Sequence, residues 1–217
     1  MLNNLKLINL SKDKWKSYEY FTKKEVSVIP TTIFNNSWSE TKKILGSPPF
    51  FIKPRKGSGS EKTNLIKDKL EFDFWRYKLK DNDFIIQKYI KGDEYTAASF
   101  GINGDLSHPI IFKRKLKNTG TTQWAEVVND AKIQDFIKNI SKYFDFQGPT
   151  NFQFIKSKNK IYLLEINPRI SSSTSIRAEF GYNESIMSVD YFLNNKKIEI
   201  PLITKGKAVR YLNDLVL

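Results

Sequence analysis

Residues 151–177 read NFQFIKSKNKIYLLEINPRISSSTSIR, and their pattern sets the reading of the whole chain. Phe152 and Phe154 alternate with Asn151 and Gln153, and Ile161, Tyr162, Leu163 and Leu164 follow as an apolar run. With the polar segment 156–160 between them, this is the pattern of two strands joined as a hairpin. A hairpin sets residues of both strands side by side. Glu165 then leads into Asn167-Pro168, where the proline removes a ladder donor and biases its neighbour towards an extended shape, so the carboxylate falls at a strand end. Magnesium takes near-octahedral oxygen ligands, usually one or two carboxylates completed by substrate phosphates and waters. Glu165 with the amide oxygens of Gln153 and Asn167 supplies a set of that kind, with Arg169 beside it. Taken alone, the same residues also read as a strand cap and a solvent-facing glutamine, and the rest of the chain decides between the two.

Composition narrows the classes. The 217 residues suffice for one sizeable core or two small lobes, and 40% hydrophobic with 14% aromatic residues is ordinary for a globular protein. No apolar run is long enough to span a bilayer and no cationic stretch leads an apolar signal core, so the expectation is a cytoplasmic protein without a membrane segment. The absence of cysteine excludes disulfides, thiolate metal sites and cysteine nucleophiles. A net charge of +13 admits nucleic acid as a partner. The lysines are dispersed along the chain, however, and neither zinc-finger spacing, an RNP-like aromatic motif nor a basic zipper is present, so that case rests on charge alone.

Along the chain, residues 10–24 read as a helix with Ser11 as N-cap, 28–34 as a short extended segment, and 37–45 as another helix. A turn at 46–49 leads to a brief strand at 50–53. A glycine loop then precedes a helical stretch at 63–77. Strands are predicted at 84–90, 95–102 and 108–116, an amphipathic helix at 130–144 with Ile133, Phe136, Ile137 and Ile140 on one face, a helix at 184–193, and an extended segment at 208–212. The class is α+β with antiparallel strands. The lone His108, before Pro109, reads as structural or surface.

Two further segments carry chemistry. In Lys53-Pro54-Arg55-Lys56-Gly57-Ser58-Gly59-Ser60 the glycines let backbone amides approach phosphate oxygens and Lys53 and Lys56 add point charges; it lacks the Gly-Lys-Ser/Thr ending of a Walker loop, and such a run also suits a solvated turn. In Gln87-Lys88-Tyr89-Ile90-Lys91-Gly92-Asp93-Glu94 a strand runs into a linker, where Gln87 can meet an adenine amino edge and Glu94 two ribose hydroxyls. The same residues also suit exposed strand ends.

In this order the segments resemble the ATP-grasp superfamily, most closely its branch of carbamoyl-phosphate-synthase-like proteins and carboxylate–amine ligases, over about residues 12–190. The resemblance implies an ATP-grasp fold in which two α+β subdomains with mainly antiparallel sheets grip ATP, here at 11–90 and 91–217, preceded by an N-terminal segment at 1–10. It implies that Lys14 of the Asp13-Lys14 pair reaches the nucleotide phosphates, that Lys53 is the second phosphate-binding base, and that Lys56, Gly57, Ser58, Gly59 and Ser60 form the mobile loop over them. Gln87, Lys88, Tyr89 and Ile90 then hold the adenine and Glu94 the ribose. Gln153, Glu165 and Asn167 match the metal ligands, for Mg2+ or alternatively Mn2+, and Arg169 matches the arginine at the terminal phosphate and developing acyl phosphate; Lys53 and Arg169 are the catalytic pair. Arg114, Arg177 and Ser172 fall where relatives place substrate contacts.

The implied reaction joins a small carboxylate to an amine or ammonia through an acyl phosphate, with no covalent enzyme intermediate. Full-length relatives carry an N-terminal Rossmann-like domain before this module. The resemblance therefore also admits a separate Rossmann-like subunit, a homo-oligomer, or a catalytically silent nucleotide-binding partner. The apolar start of the chain, with Leu2, Leu5, Leu7, Ile8 and Leu10, is then a candidate docking element or simply core. Gln87 stands where Glu is commoner, which keeps the amino-group acceptor but removes its charge.

Overall fold

The computed structural model describes residues 3–57, 63–79, 83–117, 120–158, 160–199 and 201–211. In chain order the elements are α1 (Leu5–Ser11), α2 (Lys14–Lys23), β1 (Thr31–Ile33), α3 (Trp38–Leu45), β2 (Phe50–Pro54), β3 (Asn64–Ile66), α4 (Lys69–Lys78), β4 (Phe84–Lys88), β5 (Asp93–Leu106), β6 (Ile110–Leu116), β7 (Thr122–Val128), α5 (Ala131–Ser141), β8 (Phe146–Ser157), β9 (Lys160–Asn167), α6 (Thr174–Glu179), α7 (Glu184–Phe192) and β10 (Lys207–Val209). They form a four-stranded sheet of order β1-β4-β2-β3 and a six-stranded sheet of order β10-β7-β6-β5-β8-β9. Every pairing between these strands is antiparallel.

Strand alternation separates a core face from a working face in both sheets. In the small sheet Phe50, Ile52, Ile66 and Ile86 are buried with Phe34, Leu45 and Phe72 against α3 and α4. The opposite parity of β2 and β4 carries Phe51, Lys53, Ile85 and Gln87, with Phe51 directly across from Gln87. In the large sheet Tyr95, Ala97, Ile111, Phe152, Phe154 and Ile166 pack with Ile133, Ile137 and Ile140 of α5 and with Leu7 and Phe21 of α1 and α2. The other face is divided. Ala98, Phe100, Ile110, Phe112 and Ala125 lie under α6 and α7, while Glu94, Arg114, Gln153 and Glu165 continue the same face as a polar half.

Several local expectations are corrected. Asp13, not Ser11, caps the second helix: its carboxylate accepts from the amides of Trp15 and Lys16, and the chain from Leu5 to Ser11 is a separate helix whose Leu7 is fully buried. A carboxylate one residue before a helix outcompetes a serine two residues further back because only the former reaches the unsatisfied amides. The stretch expected as helix from 63 begins instead as β3, an edge strand paired with β2, and the helix starts only after Asp68, which accepts from the amide of Glu71. Strand β7 was not anticipated, since TQWAEVV alternates weakly. Thr174 opens α6, whose N-cap Ser173 makes no side-chain cap bond. The helix from 37 holds as read, with Ser37 and Glu40 forming a reciprocal capping box. His108 is exposed.

The crossing from small to large sheet runs through Gly92. A Cβ there would lie 2.5 Å from the carbonyl oxygen of Lys156, so the linker passes β8 only because the side chain is missing. Among the described residues no helix is long and apolar enough to cross a membrane.

Candidate functional site

The two working faces enclose a cleft of about 880 Å³. Lys14, Phe51, Lys53, Lys56, Gly57, Gln87, Lys88 and Ile90 line it from the small-sheet side, and Glu94, Leu116, Lys117, Gln153, Leu163 and Glu165 from the large sheet. Val28, Ile29, Ile155 and Ile166 add to the apolar part of the lining, the apolar slot, and five lysines, Lys14, Lys53, Lys56, Lys88 and Lys117, contribute to the rest.

Two of the lysines, Lys14 and Lys53, are held by specific local contacts. Lys14 opens α2; its amide donates to the carbonyl of Arg55 at 2.9 Å and its Nζ to the carbonyl of Gly57 at 2.9 Å. The capping Asp13 also pairs with Arg55 at 2.7 Å, so one carboxylate fixes both the helix start and the end of β2. Burial alone would raise the Asp13 carboxyl, but the hydrogen bonds from Arg55, Lys16 and Trp15 outweigh it and hold the group below the usual carboxylate range. Lys53 projects from β2 and donates to the Gln87 amide oxygen at 2.9 Å, while the Gln87 amide nitrogen donates to Thr31 Oγ1 at 3.0 Å. Burial pushes the Lys53 ammonium down to about 8, with Lys14 adding to the effect and Glu165 and Glu94 opposing it. Lys14 is lowered for the same first reason, against the attraction of Glu165 and Asp13.

The acidic end is set by register. Gln153 lies directly across from Glu165, and Asn151 across from Asn167, on one face of the β8–β9 pair. Asn167 Nδ2 donates to Glu165 Oε2 at 3.2 Å, and Gln153 Oε1 accepts from Arg114 Nη2 at 2.9 Å. Among the described residues no group of three or more His, Cys, Asp or Glu side chains is arranged to hold a metal. One carboxylate with two amides nevertheless suits a magnesium ion whose remaining ligands come from phosphates and water, which is how this hard cation is commonly held.

The other expected positions divide clearly. Ser58, Gly59 and Ser60 lie outside the described residues. Tyr89 does not line the cleft: its ring packs 5.6 Å from that of Phe51 and its amide donates to the Pro49 carbonyl at 3.1 Å, leaving Ile90 as the linker residue at the wall. Arg169 is exposed, donating to the Ile170 carbonyl at 2.9 Å and reaching Asn167 Oδ1 at 3.5 Å. Arg177 is fully buried in an ion pair with Glu184 at 2.7 Å, with Ser171 and Asn151 as further partners. The exposed Ser172 accepts from Arg210 through its carbonyl at 2.8 Å. Arg114 is 8% exposed and paired with Glu94 at 2.5 Å.

Sequence reasoning missed Lys117, Thr31 and the apolar slot. Lys117 ends the basic run FKRKLK and could have been found from that run; Thr31 and the slot residues come from distant segments and leave no local signal.

A family model described as ATP-grasp in the biosynthetic pathway with Ter operon matches residues 80–215. Among curated proteins, the carbamoyl phosphate synthase large chain of Clostridium acetobutylicum is 23% identical over 190 residues, which is 78% of this chain and 17% of that protein. An uncharacterized protein of Methanocaldococcus jannaschii is 25% identical over 195 residues, covering 89% of this chain and 49% of its own. Of the solved structures, carboxyaminoimidazole ribonucleotide synthase of Aspergillus clavatus complexed with ATP superimposes with a TM-score of 0.79 at 14% identity, over 93% of this chain and 56% of that one. A biotin carboxylase complex from Campylobacter jejuni gives 0.75 at 18% identity, over 95% and 51%. The chain thus spans about half of these structures and a smaller part of the synthase large chain. With two antiparallel sheets closing on a lysine-lined cleft and a family model matched over most of its length, the chain belongs to the ATP-grasp family.

Proposed function

We propose that the chain is an ATP- and magnesium-dependent ligase, or the nucleotide-binding part of one, that joins a small carboxylate to an amine or ammonia. The observation that carries this reading is the cleft in which Lys14, Lys53, Gln87, Glu94, Gln153 and Glu165 converge from both sheets. Residues 11–90 and 91–217 are proposed as the two jaws.

In this reading the adenine lies in the apolar slot beside Ile90, with its amino group on the Gln87 side. Glu94 accepts from the ribose hydroxyls, and Lys14, Lys53 and Lys56 neutralise the phosphates. Gln153, Glu165 and Asn167 would hold magnesium, which would offset the charge that develops on the phosphates. A carboxylate oxygen of the substrate attacks the γ-phosphorus, the bond to the β-bridging oxygen breaks, and ADP leaves with the resulting acyl phosphate in place. The amine then attacks the carbonyl carbon, loses a proton, and expels inorganic phosphate. Both steps depend on positioning and charge neutralisation rather than on a protein nucleophile. Arg169, two residues past β9 and exposed, is assigned in this reading to the terminal phosphate and the acyl phosphate.

The test is phosphate release from Mg·ATP, screened across small carboxylic acids with and without an amine. Release that requires both a carboxylate and ATP supports a ligase. ATP binding with no turnover under any pairing favours a nucleotide-binding partner subunit instead.

A further inference from the structure

Arg114 does not line the cleft. Glu94 and Gln153 do, whereas the arginine that connects them is buried beside them on the same sheet face. Its Nε and Nη2 donate to the same carboxylate oxygen, Glu94 Oε1, at 3.1 and 2.5 Å. Nη2 also donates to Gln153 Oε1 at 2.9 Å, and Nη1 reaches Thr122 Oγ1 at 3.5 Å. Thr122 in turn shares a hydrogen bond of 3.0 Å with the buried Ser173, which anchors the arginine end of the group from a different element. Glu94 sits opposite Arg114 in the β5–β6 register, so the strands themselves set this pairing.

The arrangement is selective about which oxygen it occupies. Both arginine bonds fall on Oε1, and among the described residues Oε2 of Glu94 has no partner. A carboxylate with one oxygen clamped by a buried arginine presents the other in a fixed direction, whereas an unclamped glutamate at a strand start samples several rotamers. A lysine at the same position offers a point charge and cannot fork onto Glu94 and Gln153 with the same geometry.

We propose that Arg114 is a positioning residue that sets the ribose selectivity of the nucleotide site: it holds Glu94 with Oε2 turned to the ribose hydroxyls, without itself touching the nucleotide. The inference rests on the reading of the cleft as a nucleotide site. It differs from a direct substrate contact, which needs a guanidinium at the cleft surface.

The experiment measures binding of Mg·ADP and Mg·2′-deoxyADP by calorimetry to the full chain and to its Arg114→Lys, Arg114→Met, Glu94→Gln and Glu94→Gln/Arg114→Lys variants. The wild-type chain prefers the ribonucleotide. Arg114→Lys lowers that preference by roughly tenfold, the scale of a hydrogen bond to a charged group, while 2′-deoxyADP affinity changes little. In the Glu94→Gln background the lysine substitution has no further effect on the ratio, because the arginine acts through that carboxylate. A ratio unchanged in Arg114→Lys, or equal weakening of both nucleotides, overturns the proposal and leaves Arg114 a structural ion pair. A wild-type chain that binds neither nucleotide defeats the nucleotide reading and this inference together. Arg114→Lys keeps the buried charge and decides the matter if Arg114→Met does not fold.

Discussion

Lys53 and Gln87, 34 residues apart in sequence, meet at 2.9 Å with the ammonium donating to the amide oxygen, and this contact sits where the small sheet faces the cleft. The neutral partner matters, because a carboxylate there would support the ammonium more strongly. Burial instead depresses Lys53 to about 8. A lysine lowered in this way is charged below that value and progressively neutral above it. Nucleotide affinity, which draws on the charged form, is therefore flat below about pH 8 and falls above it by up to about tenfold per pH unit, until the value raised by bound phosphate is reached. The linkage to folding has the opposite sense: the desolvation cost is fully present below pH 8 and is relieved as pH rises towards the ordinary lysine range. Titrating Mg·ADP affinity from pH 6.5 to 9.5 checks the first statement, and Gln87→Glu moves the falling limb upward. An affinity independent of pH across that range contradicts it.

Asp13 joins helix α2 to the end of β2, so its removal acts on fold and site together. Asp13→Ala costs about 2 kcal/mol, combining a lost helix cap with a lost charge-assisted bond to Arg55. Asp13→Asn keeps the cap and loses less. Because the folded carboxyl is held below its usual range, its contribution is complete above the unfolded value near 3.8 and is lost as pH falls through the lower folded value. Urea unfolding at pH 7 and pH 3 distinguishes the variants: the gap between wild type and Asp13→Asn is present at pH 7 and shrinks at pH 3.

Arg177 and Glu184 form a fully buried ion pair, in which Glu184 Oε2 also accepts from Thr174 at 2.9 Å. Removing one partner strands the other without solvent, so Arg177→Met destabilises the chain by about 3–5 kcal/mol. Removing both in Arg177→Met/Glu184→Leu restores a substantial part of that loss. Equilibrium unfolding of the three proteins measures the difference, and a single variant as stable as wild type removes the structural role assigned to this pair.

The sequence made the strand pattern of β8 and β9 legible because Phe152, Phe154 and the run from Ile161 alternate or cluster around a polar turn. It made helix α5 legible through Ile133, Ile137 and Ile140 at helical spacing. Strand β3 was read as helix because Asn64, Leu65 and Ile66 gain their extended form from pairing with β2, a contact that leaves no trace in local periodicity. The site was legible where residues carry distinctive chemistry on short motifs, as at Lys53, Glu94 and Glu165. It was not legible where a side chain acts by being buried. Arg114 and Arg177 look alike in the sequence as basic residues within polar segments, and only the packing separates one buried beside the cleft-lining Glu94 from one on α6 sealed against Glu184 of α7.

The proposed role of Glu165 as anchor of a magnesium–nucleotide site is tested by Mg2+-dependent ATP binding to wild type and Glu165→Ala under identical conditions. The gain in ATP affinity on adding Mg2+ falls by at least about tenfold in the variant, the loss that follows even when a residue merely supporting a metal ligand is removed. The melting temperature without nucleotide stays close to that of wild type, since Glu165 is half-buried and lies at the cleft wall. A variant that binds ATP with the full magnesium dependence of wild type contradicts it.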